Sequence, residues 1–199
     1  MARSLNTKHK TIMQLYHGSP ALFDAFDLST AGEGSGLKFG FGVYLSEIIT
    51  NAAHYSQPRS LEAEAPNHYL YTVEIPDLTE DNHITFTDPV AASIVERVEQ
   101  ELGVKAPEKV IVNGKEFRKW IAMTLLGTKK NTFAGEKAAA ELLNRLGVLY
   151  IIWPYTWTKP YKMTQFAVFD ASNARIVKVE RITIAKKGCK TIITSRQDV

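Results

Sequence analysis

The helical patterns of this chain stand together in its middle, and strand patterns flank them on both sides. Apolar residues recur at helical spacing in three consecutive stretches, at 88–103, 116–127 and 132–147. Runs rich in aromatic and β-branched residues predict strands at 11–19, 68–76, 148–153, 165–170 and 174–185. A doubly wound sheet needs strands and helices in regular alternation. The observed order therefore predicts an α+β fold with its helices mainly in the middle of the chain.

Size and cysteine content narrow the class of protein. A chain of 199 residues with 45% hydrophobic residues can bury one sizeable core, and no repeat or low-complexity linker divides it. Cys189 is the single cysteine, which excludes a disulfide framework and a cysteine metal site, so a reducing cytoplasm is expected. Met1 is not followed by a signal-like apolar stretch, and no apolar run reaches about eighteen residues, so no membrane partner is expected.

Basic residues crowd the two ends of the chain. They predict a basic N-terminal arm at 1–11 and a basic C-terminal tail at 186–199, on either side of one domain at 12–185. This crowding, with a formal net charge of +3, permits an anionic partner. Solvated and partly disordered termini explain the same charges more simply.

The stretch FGFGVYLSEIITNAAHY at 39–55 carries two glycines and two tyrosines. The glycines indicate backbone that bends tightly or lets another group approach closely. The pattern at 46–57 predicts a helix with Ser46 as its N-cap. Tyr44 and Tyr55 would then lie on either side of a site suited to a flat ligand.

Several common catalytic and ligand-binding motifs have no match. The five histidines are scattered, and none has another histidine or a carboxylate at helical ligand spacing, so no metal site is predicted. The glycine-rich stretch at 32–36 lacks the helix that a phosphate-binding loop needs, and neither a Walker motif nor a nucleophile elbow occurs. What remains is His17-Gly18 at a strand end, the two tyrosines, and Gln165 at the start of a late apolar strand.

Those pieces, in that order, resemble the ADP-ribosyltransferase superfamily in its diphtheria-toxin and poly(ADP-ribose) polymerase branch. The resemblance rests on LYHGS, FGFGVYLSEIITNAAHY and TQFAVFD, and it covers residues 12–182. The order of YLYTVEIP, a helical middle, ELLNRLGVLYIIW and QFAVFD is more similar still to the ADP-ribosyltransferase domains of phage and mobile-element polyvalent proteins. The resemblance implies two packed, antiparallel-rich β-sheets around a cleft for NAD⁺, which is a substrate, and no metal.

The resemblance also implies a role for each residue of the cleft. His17 would hydrogen-bond the adenosine-side ribose of NAD, the Gly18 backbone would hold the nicotinamide carboxamide, and Ser19 belongs with them among the NAD-binding residues. Tyr44 would stack on the nicotinamide ring and Tyr55 would close its other side, with about 1 kcal/mol of stacking beyond burial. Taken singly, His17, Tyr44 and Tyr55 are better explained as a strand-end histidine and core aromatics, whereas together and in this order they favour the site.

Gln165 stands where the polymerases of this superfamily carry a glutamate. It keeps a hydrogen bond to the nicotinamide-ribose 2′-hydroxyl, but it lacks the charge that stabilises an oxocarbenium-like state or accepts a proton from the acceptor. The expected activity is therefore transfer of a single ADP-ribose, with Gln165, Tyr44 and His17 as the catalytic residues.

Three charged residues near these motifs have open roles. Glu47 is the nearest candidate base, although a carboxylate at a helix N-terminus is the simpler explanation. Asp170 ends the Gln165 strand on the opposite face, so it is not expected to act. Lys38 and the neighbouring glycine-rich loop suit the phosphates or adenine of NAD, and a mobile loop explains them equally well.

The segment 151–163 lies just before the Gln165 strand, where related enzymes carry a loop that meets the acceptor. Here Trp157 and other aromatic residues alternate with Lys159 and Lys162. Such a pattern suits stacking on unpaired bases, at about 1–3 kcal/mol per base, and it also suits a protein surface. A nucleic acid, RNA or DNA, is favoured slightly over protein as the acceptor.

Two other classes of function stay open on the sequence alone. One is an NAD glycohydrolase toxin whose acceptor is water. The other is a catalytically degenerate module that binds NAD or nucleic acid, with Gln165 as the decayed residue. The resemblance to mobile-element relatives implies a toxin or phage-defence effector with a neutralising antitoxin protein as its partner.

Overall fold

One mixed sheet of eight strands runs through residues 12–30, 38–57 and 67–199, which the computed structural model describes. Its strands are β1 Ile12–Ser19, β2 Val43–Ser46, β3 His68–Pro76, β4 His83–Thr85, β5 Tyr150–Pro154, β6 Met163–Val168, β7 Arg175–Lys187 and β8 Lys190–Asp198. Their order across the sheet is β4-β5-β6-β2-β1-β3-β7-β8. The β4–β5 pair is parallel and the other pairs are antiparallel.

Four of the five α-helices in the described residues lie between β4 and β5, which confirms the predicted α+β class and the grouping of helices in the middle. The helices are α1 Ile49–Tyr55, α2 Ala92–Leu102, α3 Glu108–Ile111, α4 Gly114–Leu126 and α5 Phe133–Arg145. Local signals explain their ends. The Thr132 side chain accepts a hydrogen bond from the Gly135 N–H at the start of α5, and Gly103 ends α2 with a φ of 64°.

The two halves of the sheet meet at a single residue pair. Tyr16 of β1 pairs with Ser46 of β2, and no other β1–β2 pair forms among the described residues. The prediction of two packed sheets is therefore corrected to one hydrogen-bonded sheet. The physical reason is that β2 has four residues and leads directly toward α1, so β1 and β2 diverge after one pair. A split between the strands opens at that point.

The helices all pack on one face of the sheet, in two groups on either side of the split. Alternate residues of β5 explain the larger group: Ile151 and Trp153 pack against the cluster that includes α2, α4 and α5, whereas Tyr150 and Ile152 belong to the cluster on the opposite face. On the other half of the sheet, α1 buries Ala52 and Ala53 against β3 and β7. The space between α1 and the larger group lies directly over the split.

Most of residues 186–199, which the sequence predicts as a basic C-terminal tail, lie in the sheet: β7 ends at Lys187, and a short turn leads into the next strand. Residues 190–198 form β8, which pairs with β7 along its length. Charge complementarity explains why basic residues are accommodated here: Arg196 binds the buried Glu180 carboxylate, which also accepts a hydrogen bond from Lys178. These partners lower the pKa of Glu180, with the Arg196 hydrogen bond as the largest cause.

Other parts of the sequence prediction fall outside the described residues or are not met. The N-terminal arm at 1–11 and the glycine-rich stretch at 32–36 lie outside the described ranges. The helical pattern predicted from residue 88 starts too early, because α2 begins after Ala91, without a side-chain cap. In the parts of the chain that the structure describes, no helix is both long and apolar enough to cross a membrane.

Candidate functional site

A cavity of about 510 Å³ lies where β1 and β2 diverge. Five of the residues selected from the sequence line it together: His17, Gly18, Tyr44, Tyr55 and Gln165. They come from β1, β2, α1 and β6, which are distant in the chain and adjacent in the fold. The cavity opens over the helical face, between α1 and the residues that follow β5.

Gly18 brings β1 and α1 closer than any other residue type would allow. A Cβ atom at this position would lie 1.9 Å from the Ala52 carbonyl oxygen and 3.0 Å from the Ser56 nitrogen, and both are backbone atoms. Close packing of α1 is therefore sufficient to explain the glycine. That packing also places the α1 residues Asn51 and Tyr55 over the cavity.

The His17 side chain bridges the split between the strands. Its Nδ1 lies 2.8 Å from the Tyr44 carbonyl oxygen, on the opposite side of the split. A carbonyl oxygen only accepts, so Nδ1 carries the hydrogen, and Nε2 of the neutral ring keeps a lone pair for another donor. The ring packs edge-on against Phe26 at 5.1 Å and also contacts Phe23 and Tyr71. Burial lowers the pKa of His17, and the bond to Tyr44 opposes this in part, so the neutral form predominates at pH 7.

Tyr44 forms part of the cavity wall with its ring held from two directions. Its hydroxyl donates a 2.7 Å hydrogen bond to the Gly40 carbonyl, and its ring lies edge-on to Trp153 at 5.4 Å. Burial raises the pKa of Tyr44 to about 12, so the phenol stays protonated at neutral pH. A fixed, neutral aromatic ring can stack on a flat ligand without reorganising.

The glycines before Tyr44 explain how its strand is positioned. Gly42 has a φ of 148°, and a Cβ there would lie 2.4 Å from the Val168 carbonyl oxygen. The sequence predicts a close approach at these glycines, and at Gly42 the backbone of β6 makes it. Behind the same turn, Arg118 and Glu136 form a buried ion pair with 2.6 Å between Nη1 and Oε2.

Gln165 is held by two residues that the sequence reasoning missed as site residues. Its Oε1 accepts a 2.8 Å hydrogen bond from Asn51 Nδ2, and its Nε2 donates a 2.9 Å hydrogen bond to Ser46 Oγ. Ser46 was expected to cap α1, but it ends β2, and Ile48 occupies the N-cap position without a side-chain bond. We call Ser46, Asn51 and Gln165 the cavity floor. An amide held at both ends has a fixed orientation.

The outer part of the cavity is formed by residues that are much more exposed. Tyr55 at the end of α1 has 60% of its surface exposed, and Trp157 has 50%. Lys38 also lines the cavity. We call Lys38, Tyr55 and Trp157 the cavity rim. A ligand can contact these side chains without disrupting the packing of the hydrophobic core.

The remaining predicted residues do not line the cavity. Ser19 is buried and accepts a hydrogen bond from the Ala21 N–H. Asp170 accepts hydrogen bonds from the Ser172 N–H and from Asn144 Nδ2, so its contacts are structural. Glu47 is exposed outside the cavity, and Lys159 and Lys162 are exposed on the segment beyond Trp157.

The cavity has little charge of its own. Among the described residues that line the cavity, Lys38 has a formal positive charge. None of these residues is an aspartate or a glutamate. The described part of the chain holds no group of three or more metal-ligating histidine, cysteine, aspartate or glutamate side chains. The arrangement suits a ligand with a flat ring, several hydroxyl or amide groups, and an anionic part near Lys38.

Comparison with known proteins adds no further constraint: no family model, curated protein or solved structure matched the chain.

Proposed function

We propose that this protein transfers a single ADP-ribose from NAD⁺ to a macromolecular acceptor. One observation carries the proposal: His17, Gly18, Tyr44, Tyr55 and Gln165 line the same cavity, although they come from four separate elements. The resemblance to ADP-ribosyltransferases implies that these residues bind NAD. Residues selected only for a shared core would have no need to surround an open cavity.

The cavity has suitable partners for a ribose, the nicotinamide and the phosphates of NAD. His17 Nε2 can accept a hydrogen bond from a ribose hydroxyl, since Nδ1 is already used on Tyr44. Past Tyr16, β1 has no strand partner on its β2 side in the described residues, so backbone groups there can bind a carboxamide. Tyr44 and Tyr55 border the space for the nicotinamide ring, and Lys38 is placed to neutralise phosphate charge.

The reaction breaks the bond between ribose C1′ and the nicotinamide nitrogen. The electron pair leaves with nicotinamide, which becomes neutral, and a lone pair of the acceptor forms the new bond to C1′ while its proton goes to solvent. Gln165 has an acceptor lone pair left on Oε1 after its bond to Asn51, and this can orient the 2′-hydroxyl. Catalysis then depends on positioning, because no carboxylate lines the described cavity.

A neutral cavity floor favours single transfer over chain extension. Extension needs a sugar hydroxyl to lose its proton, and a glutamine cannot accept one. A nitrogen nucleophile with its own lone pair does not need that help. By resemblance to mobile-element relatives, the protein would act in the cytoplasm as a toxin or phage-defence effector with a neutralising antitoxin partner.

The test is incubation of the purified protein with NAD labelled in the adenylate, in separate reactions with total RNA, single-stranded DNA and extract protein. Transfer of label to one pool by the wild type and by Tyr44→Phe, but not by Tyr44→Ala, would support the proposal. The phenylalanine variant keeps the ring and removes only the bond to Gly40. Circular dichroism would verify that both variants fold.

Two other outcomes would replace the proposal. Free ADP-ribose in every reaction would identify an NAD glycohydrolase, for which the exposed rim gives water access. Intact NAD in every reaction, together with measurable NAD binding, would identify a binding module without turnover.

A further inference from the structure

Aromatic rings from three separate segments contact one another beside the cavity. Phe39 stacks on Trp153 with ring centroids 4.5 Å apart and planes 1° from parallel, and it lies 6.4 Å from Trp157 at 17°. Phe86 contacts Trp157 at 5.9 Å, and Tyr161 contacts it edge-on at 6.2 Å. We call Phe39, Phe86, Trp157 and Tyr161 the aromatic face. Trp157 is half exposed, so the column of rings that starts at buried Trp153 ends at a ring that is open to solvent.

Lysines lie over this aromatic face. Lys38 Nζ is 5.3 Å from the ring centroid of Phe39. The Nζ of Lys115 is 5.9 Å from the centroid of Phe86, and the Nζ of Lys159 is 5.7 Å from the centroid of Tyr161.

One of these lysines has a nearby carboxylate. Lys115 Nζ lies 3.4 Å from the Glu116 carboxylate, which also lies 3.5 Å from Nζ of Lys119. Three lysines therefore lie over the rings, and one of them, Lys115, shares its carboxylate with another lysine.

The aromatic face continues directly into the cavity. The cavity is lined by three of the stacked rings and by one of the lysines above them: Phe39, Trp153, Trp157 and Lys38. A ligand stacked on Trp157 would thus lie at the mouth of the space proposed for NAD. This is where an acceptor must be held if it is to reach C1′ of the ribose.

We infer that the acceptor is a single-stranded nucleic acid, with a base stacked on Trp157 and phosphates beside Lys38, Lys159 and Lys162. The inference rests on the proposed NAD chemistry. Unpaired bases offer free π-faces that a duplex does not, and phosphates complement the lysines. A protein acceptor would use the aromatic anchors but would not need cations on several sides of them.

The chemical step fits this acceptor. A ring or exocyclic nitrogen of an unpaired base supplies the lone pair that forms the new bond to C1′, and nicotinamide leaves with the electrons of the broken bond. The proton on the attacking nitrogen passes to solvent, so the products are ADP-ribosylated base, nicotinamide and one proton. Such a nitrogen does not require the carboxylate that the described cavity lacks.

The experiment separates acceptor binding from NAD cleavage. Fluorescence anisotropy without NAD would compare labelled 12-nucleotide single-stranded RNA and DNA, a duplex of the same sequence and a glutamate-rich peptide of similar charge. Nicotinamide release and label transfer to each probe would be measured on the same preparations. The variants are Trp157→Ala, Trp157→Phe, the pair Lys159→Gln and Lys162→Gln, and a control pair, Lys129→Gln and Lys130→Gln, in the exposed turn between α4 and α5.

We expect the single strand to bind and to receive the label. Trp157→Ala should weaken binding about tenfold, and Trp157→Phe should restore most of it. If both Lys159 and Lys162 contact phosphates, their neutral variant should reduce the slope of log affinity against log salt by about 1.4, whereas the control pair should not change it.

Several results would overturn the inference. Nicotinamide release with transfer only to the peptide would assign a protein acceptor and leave the NAD chemistry standing. A change in the KM for NAD in Trp157→Ala, without a change in strand binding, would make the aromatic face part of the NAD site. Strand binding without any nicotinamide release would remove the acceptor role together with the proposed function.

Discussion

The floor and the rim of the cavity are built in opposite ways. On the floor, Gln165 has 6% of its surface exposed, and Asn51 and Ser46 hold its amide from both ends. On the rim, Tyr55 and Trp157 are at least half exposed, and their side chains contact other rings in the described part of the chain. Buried hydrogen bonds hold one geometry, whereas exposed rings accept ligands of different shapes. We therefore expect floor variants to change turnover or stability, and rim variants to change binding.

The largest expected effect comes from Gly18→Ala, because the floor depends on the position of α1. The new methyl group would collide with the Ala52 carbonyl, which cannot move without the helix. We expect a loss of about 3 kcal/mol in the free energy of unfolding by urea denaturation, together with loss of nicotinamide release. The control is Gly103→Ala, which has a φ of 64° but no neighbour within 4 Å, and it should cost only about 1 kcal/mol. Equal losses in both variants would contradict the close packing of α1.

Gln165→Leu should give the next largest effect, on turnover rather than on folding. Leucine fills similar space but cannot orient a ribose hydroxyl, so nicotinamide release should fall roughly 100-fold. Gln165→Glu is the matched variant: its carboxylate can accept hydrogen bonds from both Asn51 and Ser46, and activity should be retained. A fully active leucine variant would reduce the floor to a packing role.

Asn51→Ala tests whether the floor acts as a unit. It removes the 2.8 Å hydrogen bond to Gln165, which is the bond that this amide oxygen accepts among the described residues. We expect kcat to fall about tenfold, since a loss of this size corresponds to one buried hydrogen bond, at about 1.4 kcal/mol. Thr50→Ala, an exposed neighbour on the same helix, serves as the control and should leave kcat unchanged.

Acidification should weaken the protein through His17, which joins the two halves of the sheet at the split. Its pKa is lowered in the folded state, so between pH 6.5 and the folded pKa the unfolded chain binds more protons. Stability must therefore fall as the pH decreases through this window, by at most about 1.4 kcal/mol per pH unit. Urea denaturation at several pH values would measure this slope. His17→Asn should remove it, and an unchanged slope in that variant would assign the effect to other groups.

Tyr55→Ala should have the smallest effect and is the direct test of the rim. Its side chain is mostly exposed at the end of α1, so the melting temperature should stay within about 1 °C of the wild type. If Tyr55 covers one face of the proposed nicotinamide site, its loss should raise the KM for NAD several-fold, in line with about 1 kcal/mol of stacking. A large fall in kcat with an unchanged KM would place Tyr55 with the floor.

Local sequence patterns were sufficient to predict most helices and strands. They failed for strands that are defined only by their hydrogen bonds to a neighbouring strand. The strands at 68–76 and 165–170 and the three helical stretches in the middle carry clear periodicity, and each corresponds to an element. Strand β2 was missed because four residues are too few for a periodic signal, and β4 has only three. The lysine, threonine and arginine residues of β8 predict a solvent-exposed tail, and only pairing with β7 makes this segment a strand.

The sequence by itself determined the α+β class, the grouping of the helices, and five of the residues that line one cavity, from His17 to Gln165. Each of these depends on residues a few positions apart or on short motifs. Only the tertiary structure decided that Gly18 serves the packing of α1, that Ser46 ends a strand, and that Asn51 holds Gln165. The Asn51–Gln165 bond joins residues 114 positions apart. No periodicity encodes such a contact, because it exists only after the strands and α1 have packed together.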